Sequence, residues 1–291
     1  MGGRAETVMR SLDHLDLLSL PRGELFLGRD FLDRWFGEAR GGYGEQLGRA
    51  AEALGLSLVG ADLDNGEAWH AAESWGTYKK PEDCFLVGCM NGPVSRLVAS
   101  CGFLSAMASV HRDRSLFSDG AERLLKEAEQ KIAFARARGF GAAAITDDIA
   151  GNRGLFFPYD FFLSTVWPVY RQLAALIKGK GLRAFFHSDG DTRRIIEPLI
   201  LAGYECIHPV DAQAGINVYD LRKEFGQRVS FMGHIDIMAW PEEKIRAEIG
   251  LAETACLDGG LILGSTCGIS MKTAGSGLRT LYPGKRGGAW P

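Results

Sequence analysis

The chain has 291 residues, 46% hydrophobic and 24% charged. These are ordinary globular values, and they exclude a disordered chain, a coiled coil and a collagen-like fibre. Lys and Arg total 33 against 36 Asp and Glu, a net charge of −3, so no basic excess exists to neutralise a nucleic-acid backbone. Apolar runs such as 142–145 and 261–263 are far too short to span a bilayer.

In chain order, the first 50 residues read as irregular and then helical, with apolar residues at near-helical spacing over 30–54. From there short β-branched or aromatic runs alternate with amphipathic helices. The spacing predicts strands over 56–62, 85–91, 142–147, 182–187, 204–209, 229–233 and 260–264. Helices are expected over 121–138, 161–178, 192–201, 217–225 and 242–257. Gly139, Gly203 and Gly226 mark three of their ends, and Pro168 either kinks the second helix or marks its real start. Strand–helix alternation implies a parallel sheet with right-handed crossovers. Seven strands come close to the eight of an α/β, (β/α)₈ TIM-type barrel; a doubly wound sheet is the second choice, but no GxGxxG follows the first strand. The missing eighth strand is either short or near 278–282. Residues 1–55 read as an extension packed on a barrel of 56–291, one domain overall.

The six Cys form no CxxC pair, and a core this size needs no disulfides. The opening MGGRAETVMRSLDH has no apolar signal core. A reduced, cytoplasmic protein is expected, with most Cys as small buried hydrophobes.

A parallel barrel carries its active site at the carboxyl ends of its strands. The residues there are Asp62; Asn91; Asp147 and Asp148; His187 and Asp189; His208 and Asp211; His234 and Asp236; and Cys267. His187, Asp189 and Cys267 offer imidazole, carboxylate and thiolate. Three such ligands and one open position make a catalytic zinc site; the alternative is that His187 and Asp189 only hydrogen-bond while Cys267 is packed. One of Asp147 and Asp148 can enter the mouth as ligand or base while the other caps the following turn. His208 and His234 are candidates for catalysis or for strand-end hydrogen bonds. Asn91, Asp62, Asp211 and Asp236 are candidates for substrate binding, and Asp236 can also cap the turn before Trp240. Tyr159, Tyr219 and Arg194 are weaker choices.

Several motifs also carry a resemblance. The segment FFHSDGD ends one strand, and AGYECIHPVDAQAGINVYDLRKEFGQRVSFMGHID spans the next two. GLILGSTCGI follows, while Asp147-Asp148 precede a Phe/Tyr-rich helix and 88–93 end in N-G-P. Together, over roughly 56–275, these resemble the uroporphyrinogen decarboxylase superfamily, which includes corrinoid-dependent methyltransferases. The resemblance implies a TIM-type barrel. The methyltransferases of the family bind zinc through a His, a Cys two residues on and a distant Cys. His187 and Cys267 match that pattern, and Asp189 replaces the middle Cys, altering charge and softness. The decarboxylases carry an N-terminal Arg-rich stretch for substrate carboxylates, which residues 1–60 lack. The resemblance therefore implies a methyltransferase that uses zinc to activate a small thiol, ether or amine. The corrinoid would sit on a separate partner protein, because no D-x-H-x-x-G corrinoid-binding signature occurs here. A metal-free decarboxylase and a non-catalytic tetrapyrrole- or corrinoid-binding barrel are the alternatives.

Overall fold

The computed structural model describes residues 3–36, 42–64, 83–112 and 114–284. Eight parallel strands follow one another around a (β/α)₈ barrel. They are β1 (Gly23–Glu24), β2 (Leu58–Asp62), β3 (Phe85–Asn91), β4 (Ala142–Thr146), β5 (Arg183–His187), β6 (Cys206–His208), β7 (Ser230–Ile235) and β8 (Leu261–Ser265). The ring closes through a parallel bridge between Arg22 and Leu263. Among the described residues, no helix is long and apolar enough to cross a membrane.

Side chains alternate along each strand, as a pleat requires. Leu58, Phe85, Val87, Ala142, Ala144, Phe185, Cys206, Met232 and Ile262 pack together inside the barrel. Val59, Leu86, Ala143, Ile145, Ala184, Phe186, Ile207 and Phe231 belong to the outer cluster, against the helices. Helix α1 (Arg4–Leu12) adds Val8 and Leu12 to the inner cluster. It is fastened there by the Ser11 hydroxyl, which donates to the Leu261 carbonyl at 2.8 Å.

The outer helices that bear on the site are α2 (Pro93–Cys101), α3 (Arg114–Ala137), α4 (Trp167–Gly179), α5 (Val218–Phe225) and α6 (Glu242–Ala255). Their ends follow local chemistry. Asn217 caps α5 by accepting from the Tyr219 and Asp220 amides. Pro168 lies in the first turn of α4, so it marks the start of that helix; the residues before it, Phe162–Val166, form a π-helical turn. The helix expected over 30–54 is two helices, Arg29–Phe36 and Gly42–Leu54. Four of the six Cys, at 84, 89, 206 and 256, are buried, and Cys101 and Cys267 are exposed.

The eighth strand is the two-residue β1. The segment suggested near 278–282 is mostly helix α7 (Ser276–Leu281). So short a strand has few ladder bonds, and side chains reinforce the seam. Glu24 is fully buried and accepts from the Ser265 amide at 2.8 Å, the Ser265 hydroxyl at 2.8 Å and the Tyr282 hydroxyl at 2.6 Å. Burial pushes the Glu24 carboxyl up to about 7, against the opposing pull of these hydrogen bonds.

That shift links stability to pH. Between about pH 4.5 and 7 the folded state holds a proton on Glu24 that the unfolded chain has lost. This contribution is complete below the unfolded value and is lost as pH rises through the folded one. The expected fall is on the order of 3 kcal/mol. Urea unfolding across this range should show a shallower decline in Glu24→Gln than in wild type. Identical slopes would mean that Glu24 is ionised throughout.

Candidate active site

Register builds the site. Asn91 pairs with Thr146, Thr146 with His187, and His187 with His208, so these inward-facing residues of β3 to β6 stand level at the carboxyl rim. Continuing the alternation carries Asp148 and Asp189 to the same side. His187 Nε2 lies 3.4 Å from Asp148 Oδ1 and 3.9 Å from Asp189 Oδ1. One ligand atom from each of the three residues falls within 4.8 Å of the others. The imidazole is nearly covered, at 9% side-chain exposure, while the two carboxylates are 59% and 58% exposed. The cluster thus has a fixed floor and an open front.

The Asp189 amide donates to Asp148 Oδ1 at 3.1 Å, which draws the two acidic residues together. Burial acts to raise the Asp148 carboxyl, but the hydrogen bond and charge of His187, with the Asp189 amide, outweigh it and hold the carboxyl below its usual range. Asp189 shifts upward, through burial and the repulsion of Asp148 and Asp211, with His187 opposing. Behind the cluster, His187 Nδ1 meets His208 Nδ1 at 2.8 Å. His208 is fully buried, and burial followed by the neighbouring His187 pushes its pKa well down, so it is a neutral imidazole. Phe26 closes one side, its ring edge-on to His187 at 4.7 Å between centroids and to His208 at 6.1 Å.

Other rim residues are engaged elsewhere. Asp147 points outward, as its parity on β4 demands, and is fully buried. It accepts from the Val94 and Ser95 amides at the start of α2 and from the Tyr170 hydroxyl at 2.7 Å. Burial pushes its carboxyl up to about 6 against those donors. The space is tight: a side chain at Gly92 would run into the Asp147 carboxyl. His234 should face inward by parity, but Gly233 and His234 both take positive φ, at 96° and 92°. His234 Nε2 instead meets Glu248 of α6 at 2.9 Å, beside Tyr219 and Trp240.

Asp211 accepts from the Gly190 and Gln213 amides, tying two rim loops together. Asp236 caps its turn through the Met238 and Ala239 amides and accepts from the Gln213 side chain. Cys267 is exposed, and its Sγ is not part of the three-residue cluster. Partial burial, then the charges of Glu24 and Asp236, push its thiol up to about 12. Arg194 lies over the Tyr159 ring at 4.1 Å, and the Tyr219 hydroxyl donates to Glu248 at 2.7 Å.

Asp62 and Asn91 line a cavity of about 270 Å³, together with Phe26, Arg29, Tyr43 and Thr146. Phe26 and Thr146 join this cavity to the His187 cluster. Arg29 lies over the Tyr43 ring at 4.8 Å. Sequence reading missed Glu24, Phe26, Arg29 and Tyr43. All sit in the first 55 residues, where no strand pattern flags a rim.

No family model and no curated protein matches this sequence. Among solved structures the chain is similar to a methyltransferase from Methanosarcina mazei, with a TM-score of 0.75 and 16% identity over 97% of each chain. It is also similar to Bacillus subtilis mannanase Man26, with a TM-score of 0.56 and 12% identity over 96% of this chain and 90% of that one. The YdhT protein from Bacillus subtilis gives a TM-score of 0.53 and 12% identity over 90% and 85%. At these identities the shared property is the barrel fold.

The two adjacent aspartates should separate in experiment. Asp147→Ala leaves two helix-start amides and a buried hydroxyl without their acceptor, and should cost about 3–5 kcal/mol in urea unfolding at neutral pH. Asp148→Ala removes an exposed carboxylate and should cost less than about 1 kcal/mol. Equal costs would contradict this division of roles.

Proposed function

We propose that this chain is a methyltransferase-type barrel enzyme. It moves a methyl group between a small substrate and a corrinoid carried by a separate protein, with zinc bound at Asp148, His187 and Asp189. The observation that carries the reading is the convergence of these three ligand atoms within 4.8 Å at the barrel mouth, beside a cavity. The motif resemblance and the fold shared with the Methanosarcina mazei methyltransferase support the methyl-transfer part.

The donor set fits a divalent cation. Tetrahedral zinc with bonds of about 2.1 Å spaces its ligand atoms by about 3.4 Å. The observed 3.4 and 3.9 Å separations are close to that spacing. The two carboxylates also supply negative charge that a divalent ion would neutralise, and the exposed front leaves room for a substrate atom. Bound zinc would supply Lewis acidity, activating a thiol or the leaving oxygen of a methyl ether.

The chain's own residues do the rest. Phe26 and Thr146 bring the cavity up to the cluster, and Asn91 and Asp62 offer polar contacts along its wall. At about 270 Å³ the cavity is at the small end of ligand pockets, usually roughly 300–1,000 Å³. A corrin macrocycle is far larger, so the partner protein must present it from outside the mouth. The decarboxylase alternative needs several cations to hold substrate carboxylates. Among the described residues lining the cavity, Arg29 is the one cation.

Elemental analysis should find about one zinc per chain after reconstitution, with loss in His187→Ala and Asp189→Ala and retention in Cys267→Ala. Methyl transfer from methylcobalamin to a panel of thiols should then require His187. Folded wild type that takes up no zinc would overturn the metal reading.

A further inference from the structure

Asp148 and Asp189 stand on different loops, and hydrogen bonds between those loops set their separation. By parity Ser188 turns away from the mouth, between two residues that face it, and it is fully buried. Its hydroxyl donates to the Asp189 carbonyl at 3.0 Å and accepts from the Ile149 amide at 3.1 Å. One O–H and one lone pair thus join the residue after Asp148 to Asp189 itself. The bond to Ile149 is buried, so losing the hydroxyl would orphan that amide.

Two further bonds complete the bracket. The Asp189 amide donates to Asp148 Oδ1 at 3.1 Å, and the Asp191 amide donates to the Gly151 carbonyl at 2.9 Å. Between them Gly190 takes a φ of 83°, and a Cβ there would lie 2.7 Å from the Ala150 carbonyl carbon and oxygen. Only glycine combines that φ with so close an approach. The Gly190 amide donates to Asp211 Oδ2 at 3.1 Å, which anchors both loops to the next one.

We propose that Ser188 is a positioning residue: without touching ion or substrate, it holds the loops after β4 and β5 at the separation that brings Asp148 and Asp189 onto one cation. Gly190 lets the loops come that close. The cation rests on the metal reading above; the coupling of the two loops does not.

Amide hydrogen exchange on metal-free protein reads the coupling. In Ser188→Ala the Ile149 amide loses its acceptor. The Asp189 amide does not bond to the hydroxyl, yet it should also exchange about tenfold faster, because the loops that hold it against Asp148 are released. Faster exchange confined to Ile149, or no change at either amide, would overturn the proposal.

Zinc affinity, measured by competition with a chromophoric chelator, gives the second readout. Ser188→Ala keeps all three ligands and should bind zinc about 10–100-fold more weakly. Gly190→Ala drives a methyl group toward the Ala150 carbonyl and should weaken zinc binding at least as much. Wild-type affinity in either folded variant would also overturn the proposal. If wild type binds no zinc, the metal reading fails, and the exchange of the Asp189 amide in Ser188→Ala still decides the coupling.

Discussion

Closure of eight parallel strands is the constraint on which everything else in this protein depends. A closed parallel sheet fixes the register between neighbours, and register decides which side chains stand level at the rim. His187 and His208 are 21 positions apart in the chain, yet they meet because β5 and β6 pair them directly. The weakest part of the ring is the seam, where β1 contributes only two residues. Burying a carboxylic acid there is costly unless every lone pair is used. Glu24 offsets much of that cost with three donors, two of them from the facing strand.

The same alternation divides the acidic residues of the rim. Asp147 and Asp148 are adjacent, but one faces the helices and the other the mouth. Asp147 is spent on the start of α2, where partial positive charge at the helix terminus suits an acidic partner. Asp211 and Asp236 are likewise occupied by loop amides. Asp148 and Asp189 remain mostly exposed, close to one imidazole and to each other. Asp189 is raised chiefly by burial; the repulsion of Asp148 is smaller than the opposing pull of His187.

The barrel was legible in the sequence because seven of its strands are apolar runs bounded by glycine or by helix signals. β3, for example, occupies the residues expected of it. β1 was not legible, since two residues with a buried glutamate carry no period; what holds them comes from β8 and Tyr282, far along the chain. The His187 and Asp189 side of the site was readable from strand-end position. Parity alone could have assigned Asp148 inward and Asp147 outward. His234 shows the limit of that rule, because two successive positive φ values turn it to the helix layer. Non-glycine residues seldom adopt that conformation. Nothing local signals it here: the preceding glycine permits the turn without requiring it.

The seam and the site are also parts of one polar chain. Glu24 fixes Ser265 through its amide and hydroxyl, the Ser265 carbonyl bears on His208, and His208 meets His187. Buried polar groups of this kind stabilise a fold only when all members are satisfied, and a half-satisfied chain is worse than an apolar core. The one link without a hydrogen bond of normal geometry, His208 Nε2, is therefore where the network has slack.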